Sequence, residues 1–377
     1  MTKVSVDYLI IGGGIFGSYA AKYLASSASI SLIEREASLL TGASKCNQTR
    51  VHAGFHYLRA PRTASDANLY HDRFIRDHEF AINKIFRHFY GIARHGSLTD
   101  AQGFERFCEW LGLDAKKQEN FDLLDLSRVS DTYLVDEFSW DPFLLSKYYH
   151  DELRNLNVQL HLKSEIVSAK KVEDSWQLEV KNAKNELTLI EARCVINATY
   201  SNLNSVSKLF HLPESRMKHE YSELLLVYVP TLKNTAITVM DGPFFSITPY
   251  GLTGLHVLSS VIYTHHDSTK NSGQKMACQI ANGVCEVDRF NPCQSCLEKP
   301  KSAQKFMLNQ LRTFMPNIGH VFVHGQLETV KSTWAMEDYR DERQTSILKL
   351  ASGPDFYTVM SGKASSIYEM ESIFNVH

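Results

Sequence analysis

The tightest constraint on what this chain can fold into is Gly12-Gly13-Gly14-Ile15-Phe16-Gly17, which follows directly on the largely apolar segment Val4–Ile11. Such a segment, β-branched and without a helical period, reads as a buried strand, and the glycines at its end turn the chain sharply. Gly12, Gly14 and Gly17 hold the G-x-G-x-x-G positions. Three demands meet there: a tight turn, close approach of backbone to a pyrophosphate, and close packing of helix on strand. Ser18 to Ser27 predicts an Ala-rich helix whose N-terminus, with Ile15 and Phe16 before it, offers N–H groups and a positive dipole end to the phosphates. A second short strand, Ile30–Ile33, ends at Glu34, whose carboxylate can accept hydrogen bonds from ribose hydroxyls.

A glycine pattern alone is weak, because a Gly-rich turn without a ligand has the same letters. Here strand, glycines, helix, strand and acid come in order within one βαβ length, which favours a dinucleotide site. Arg35 reads either as a contact for a 2′-phosphate or as an exposed surface residue. The acid beside it argues against NADP.

At 377 residues the chain predicts two domains. Hydrophobic content of 44% with 22% charged residues is that of an ordinary globular protein. A formal charge of −2 gives no electrostatic reason to expect nucleic acid or an anionic membrane, so small-molecule chemistry is favoured. No run of eighteen apolar residues suggests a membrane span. The N-terminal stretch carries Asp7 and breaks at three glycines, unlike a secretory signal, and the expected location is cytoplasmic. Seven cysteines, an odd number, argue for reduced thiols. Cys278, Cys285, Cys293 and Cys296 crowd together, but only Cys293-x-x-Cys296 has a zinc-ribbon spacing, so free thiols and no metal are expected.

From Thr41 to Tyr57 the chain is rich in small and polar residues, a composition suited to an extended segment lying along a ligand. Ser44-x-x-Asn47, His52-Ala53-Gly54 and Tyr57 resemble the flavin-contacting segment of L-2-hydroxyglutarate dehydrogenases, while Thr49-Arg50 is similar to that of sarcosine oxidases. The chain thus resembles the FAD-dependent oxidoreductases of the D-amino-acid oxidase superfamily, which also includes glycine oxidase. The resemblance implies an α/β fold: a Rossmann-like FAD-binding domain and a second domain built on an antiparallel sheet flanked by helices. Residues 1–85, 150–210 and 325–377 would form the discontinuous FAD domain, and 86–149 with 211–324 the substrate domain.

The remaining elements are read in chain order. Asp66 to Phe89 has apolar residues at helical spacing and predicts one long amphipathic helix or two short ones. Phe104–Leu111 and Pro142–Leu156 read as helices, the latter with Asp141 as N-cap and Pro142 at the first position. Val158–Ile190 shows three short strands, and by position in the superfamily Val167 would hold the adenine through its backbone. Arg193–Asn197 is a strand leading to Ala198-Thr199, similar to an Ala-Thr-Gly segment near the pyrophosphate, but Tyr200 stands where glycine is expected. Leu224–Val229, Thr235–Met240, Phe244–Pro249 and Leu255–Tyr263 predict an antiparallel sheet over the flavin, from which Phe245, Tyr250, His256, Tyr263 and His265 either reach a pocket or fill core. Ala303–Phe314 reads as a helix and Phe356–Met360 as the last strand. Gly362, Lys363, Ala364 and Ser365 then form the turn that, in the superfamily, returns to the flavin ring ahead of a terminal helix.

The function so implied is removal of hydride from a C–H beside an amine or hydroxyl of a small, carboxylate-bearing substrate, with oxygen or another acceptor taking the electrons. His52 and His56 are the candidates for accepting a proton, since imidazole titrates in the working range. Arg50 and Lys363 are placed at the same site, Lys363 as a cation near the flavin N1 or else a surface lysine. Arg340 is a candidate clamp for a substrate carboxylate, against the alternative of a solvated arginine among Glu337, Asp338, Asp341 and Glu342. No cysteine lies in an evident attachment motif, which implies non-covalent FAD, although Cys46 and His52 leave attachment open. Two alternatives remain: an FAD-binding protein without turnover that serves a structural or partner-binding role, and a flavin monooxygenase, for which no second glycine motif is seen.

Overall fold

The computed structural model describes residues 2–119, 121–269, 273–282, 285–335 and 343–374. The opening motif sits at the centre of an eight-stranded sheet among these residues. Thr2–Ile11 pairs in parallel with Ile30–Ile33 on one side and with Leu187–Asn197 on the other. Gln159–His161 extends the parallel part, Ser175–Asn182 and Ser164–Val172 add an antiparallel flank, and Asp355–Met360 runs parallel to the end of Leu187–Asn197. The helix Ile15–Leu24 lies on this sheet and buries Ile15, Phe16, Ala20, Ala21 and Leu24 against Ile10 and Leu32. It starts three residues before the expected Ser18. Gly17 is what lets it pack so closely: a Cβ there would stand 1.9 Å from the Gly12 carbonyl oxygen. Complete burial of each large apolar side chain contributes about 1.5–3 kcal/mol.

A nine-stranded sheet among the described residues lies opposite. Its order is His265–Thr269, Met217–Tyr228, His256–Ser260, Phe245–Pro249, Thr235–Met240, Arg87–Ala93, Val129–Val135 and Ala115–Gln118, with Phe322–Trp334 also pairing to Met217–Tyr228. It is antiparallel except where Thr235–Met240 meets Arg87–Ala93. The long pairing of Phe322–Trp334 with Met217–Tyr228 puts residues 325–334 in this sheet, a correction to the boundary drawn at 325. Its core joins Leu225, Val227, Ile237, Ile247 and Leu258 to Met307, Leu311 and Met315 of the helix Gln304–Phe314 and its C-terminal flank.

Two helix expectations fare differently. Pro142–Asn155 forms as read, with Asp141 accepting from the N–H groups of Phe143 at 2.9 Å and Leu144 at 3.0 Å. The long helix at 66–89 does not form. A helix runs from Pro61 to Asp77 and stops at His78, and Arg87–Ala93 is instead a strand between Thr235–Met240 and Val129–Val135. Two strand partners outweigh the helical spacing of Ile82, Ile85, Phe86 and Phe89. Ile85 is accordingly 73% exposed. The last strand leads into a short 3-10 segment, Ala364–Tyr368, and a five-residue helix, Glu369–Ile373, in place of one terminal helix.

No helix among the described residues is long and apolar enough to cross a membrane.

Candidate cofactor and active site

A cavity of about 1860 Å³ is lined by both sheets, well above the ~300–1,000 Å³ of ordinary ligand pockets. At one end lie Gly12, Gly14, Ile15, Phe16, Glu34 and Arg35. Gly14 is the N-cap of the first helix with an ordinary φ of −67°, and a Cβ on it would meet only Ser44 Oγ, at 3.3 Å. Its missing side chain therefore opens onto the cavity. Ser44 Oγ accepts the Ile15 N–H at 3.0 Å, and the Glu34 carboxylate accepts the N–H groups of Gly13 at 2.7 Å and Glu36 at 2.9 Å. Burial raises the Glu34 pKa, against the pull of those two bonds.

Ala198 and Thr199 line the same wall. Tyr200 takes the glycine position with φ 55°, a left-handed conformation that costs a side-chain-bearing residue about 1–2 kcal/mol. Its hydroxyl accepts the Ser332 N–H at 3.0 Å, so the departure from glycine joins the two sheets. Asn47, Thr49 and Val167 also line the cavity. Asn47 shapes its loop, donating to the carbonyls of Ala43 at 2.8 Å and Ser44 at 2.9 Å. Gly17, Ala53, Gly54 and Ser365, expected at the cofactor, lie behind the wall: a Cβ on Gly54 would meet Leu111 at 2.6 Å, and the Ala53 N–H points to Glu137.

Arg35 is exposed, as the surface reading expects, but its guanidinium is tied down within the protein. Its Nη1 donates to the Phe290 carbonyl at 2.5 Å, and Asn202 Oδ1 accepts the Phe290 N–H at 2.7 Å. Arg289 pairs with Glu165 at 3.1 Å and Asp288 with His219 at 3.1 Å. Residues 286–294 thus form a strap tied to both sheets, and all of them but Asp288 line the cavity. Cys278 and Cys293 pack on Tyr221, Met276, Phe290 and Val330 at its base, and all seven cysteines are unbridged. Arg35→Ala is expected to speed cofactor release about tenfold, the loss of one charge-assisted hydrogen bond. A stopped-flow release rate equal to that of the unmodified protein would dismiss the strap as a barrier.

At the other end of the cavity lie Arg50, His52, His56, Tyr57, Gly362, Lys363 and Ala364. Gly362 has no alternative residue, since a Cβ would stand 2.4 Å from the Arg343 carbonyl. The Lys363 ammonium sits 4.3 Å from the centre of the Tyr57 ring, a cation–π distance. Arg50 is buried in an ion pair with Glu137, donates to the Tyr90 hydroxyl, and reaches Gln48 at 3.3 Å. It therefore serves as an anchor inside the wall. Burial, then Arg50, depress the pKa of His52 to about 3 and of His88 to about 3, and hold His56 well below the ordinary value. Burial thus disfavours the protonated form of all three imidazoles. Burial alone would raise the Glu137 pKa, but Arg50 and His52 bring it well below the usual carboxylate range.

Of the strand aromatics and histidines, Phe245 and His265 line the cavity. Tyr250 donates to the Lys45 carbonyl at 2.8 Å, His256 meets the backbone carbonyl of Leu232 at 3.1 Å, and Tyr263 stacks on Phe306. Lys218, Glu220 and Lys331 form a further ionic group on the cavity wall, with Glu220 3.2 Å from Lys218 and 2.6 Å from Lys331. Arg340 lies outside the described residues. Glu137, Tyr90 and His88 were not legible as site residues. His88 falls inside the segment read as helix and Tyr90 directly follows it, and the only signal for Glu137 is an acid set between two strand-like runs.

Two opposed sheets enclosing a cavity with a dinucleotide cradle at one end and buried histidines at the other define an FAD-type oxidoreductase. The chain belongs to the FAD dependent oxidoreductase family (DAO), which it matches over residues 7–359. It is 24% identical over 367 residues to the FAD-dependent monooxygenase FPY4 of Fusarium mangiferae, covering 95% of this chain and 87% of that protein. The fold is similar to L-α-glycerophosphate oxidase from Mycoplasma pneumoniae with FAD bound (TM-score 0.73, 14% identity, 97% of this chain and 92% of that one). It is also similar to glycine oxidase from Geobacillus kaustophilus (TM-score 0.70, 12% identity, 97% and 92%). The cofactor is FAD. The residues present fit it: the open face of Gly14, the helix end behind it, and the Glu34 carboxylate on the cavity wall are the features a dinucleotide needs.

Proposed function

We propose that the protein oxidises a small carboxylate-bearing substrate at a C–H beside an amine or hydroxyl, with oxygen or another acceptor regenerating the oxidised cofactor. Residues 1–85, 150–210 and the C-terminal strands from 346 hold FAD in this reading, and 86–149 with 211–334 present the substrate. Bound FAD supplies a hydride acceptor. The chain's own task is to place the donor carbon, exclude water and take the proton from the neighbouring hydroxyl or ammonium.

The observation that carries this reading is the placement of two imidazoles, His52 and His56, on the wall of the cavity that also holds the dinucleotide cradle, beside the Gly362–Lys363 turn. Glu34 and Gly14 are assigned to the adenosine and pyrophosphate, and Lys363 to the flavin end. Non-covalent attachment is supported by Cys46, whose thiol burial pushes up to about 11, leaving little thiolate to react.

The relative named as a monooxygenase favours a second reading, in which the reductant is NADPH and oxygen is inserted. One experiment separates the two. Under anaerobic conditions a panel of amino acids and 2-hydroxy acids is added to the yellow protein, and loss of visible absorbance is followed. Bleaching by a panel member supports the oxidation proposed, and Lys363→Met should slow it at least about tenfold with FAD retained. Bleaching by NADPH alone would hand the assignment to the monooxygenase reading.

A further inference from the structure

The oxidation proposed above needs one proton acceptor, and the wall offers two histidines. Glu137 distinguishes them. It is 1% exposed and lies between the strands Val129–Val135 and Phe138–Trp140. One of its oxygens takes the Arg50 ion pair and the Tyr90 hydroxyl at 2.8 Å, so the carboxylate cannot turn. The other accepts the Ala53 N–H at 3.0 Å and stands 3.6 Å from Nδ1 of His52. That separation is longer than a formed hydrogen bond, yet it leaves the electrostatics unambiguous. Nδ1 of His52 is buried with no other partner. A lone pair there would face a fixed carboxylate oxygen, whereas an N–H faces it favourably. The remaining charges facing the ring are Arg50 and Lys363, which disfavour a second proton without favouring either neutral tautomer at Nδ1.

We propose that Glu137 is a positioning residue that holds His52 as the Nδ1–H tautomer, so that Nε2, on the ring edge away from Glu137, is the proton-accepting atom of the site. This inference rests on the oxidation reading only for its chemical use. In that use the substrate O–H or N–H bond breaks, a new N–H bond forms at His52 Nε2, and the Nδ1 proton stays in place against Glu137. The resulting imidazolium faces a carboxylate already held by Arg50. His56 has a buried, unpartnered Nδ1 and no carboxylate within ion-pair distance among the described residues, so nothing selects its tautomer.

The test is nitrogen NMR of the FAD-loaded protein carrying 15N-histidine, with the His52 signals assigned from their absence in His52→Gln. At pH 7.5 the expected spectrum shows His52 protonated at Nδ1 and bare at Nε2. In Glu137→Met, similar in length and without an acceptor, nothing holds the proton at Nδ1, and the His52 population should shift toward Nε2–H. A wild-type His52 protonated at Nε2 overturns the proposal whether or not the variant folds, and so does a Glu137→Met protein with bound FAD and an unchanged His52 tautomer. With a reducing substrate in hand, Glu137→Met should lower the reduction rate at least tenfold at nearly constant KM, and Glu137→Asp should recover part of it. A correct tautomer in a protein that no amino or hydroxy acid reduces would sink the substrate reading and leave the assignment of Glu137 standing.

Discussion

Gly14→Val is expected to give a folded protein without colour. The backbone at Gly14 has an ordinary φ, and within the protein a side chain there meets only the Ser44 hydroxyl, so the fold has little reason to object. The two added methyls would instead fill the space the cofactor's diphosphate needs. Affinity for FAD should fall at least about a hundredfold, or about 2.7 kcal/mol, while the melting transition of the apoprotein stays near that of the unmodified apoprotein. Gly17→Val is the contrasting case: its side chain would collide with the Gly12 carbonyl at 1.9 Å, and loss of the native fold is expected. Full flavin content in purified Gly14→Val would refute the placement of the diphosphate.

Acid should unfold the protein well before its carboxylates titrate. His52 and His88 have folded pKa values of about 3 and His78 of about 4, in each case chiefly through burial. The unfolded chain takes up these protons near pH 6.5, the folded chain only far lower. Stability is therefore complete above about pH 7 and is lost as pH falls from about 6.5 toward 4. At pH 5 each of the three costs roughly 2 kcal/mol, about 6 kcal/mol together, which is comparable with the whole stability of many domains. His56, depressed by the same burial, adds to this. Groups such as Glu137, whose pKa is lowered, withdraw their contribution only below about pH 4.5 and cannot mask the effect. A melting temperature unchanged between pH 7 and pH 5 would mean that these imidazoles are not held neutral.

What could be read from the letters alone follows from how local each signal is. The βαβ opening needs only thirty-four residues, and every part of it is dictated by its neighbours: apolar strand, turn glycines, helix, strand, acid. Asp141-Pro142 is equally local, since capping is settled within three residues. The segment 66–89 misled because an amphipathic helix does occupy its first half, and the apolar spacing happens to continue through Phe89. Only the partners Thr235–Met240 and Val129–Val135, far away in the chain, show that His88 and Tyr90 alternate onto one face of a strand.

The site was legible in the same uneven way. Gly14, Glu34, His52 and Lys363 all reach one cavity, as their motifs imply, but the reason His52 differs from His56 is an acid eighty-five residues further on. Arg35 shows the converse limit. Its neighbour Glu34 invited a comparison of cofactors, whereas its bond goes to Phe290, a residue in the cysteine-rich stretch, where the sequence signal concerns thiols and not a dinucleotide.

The strap has a kinetic implication of its own. Residues 286–294 are fastened at Arg35, Asn202, Glu165, His219 and Gln326, and most of them line the cavity, so loss of these attachments is expected to ease passage of a flavin nucleotide. Exchange with free FAD would then be governed by how often this belt unbuckles, making turnover of the prosthetic group a property of a surface segment remote from the redox chemistry.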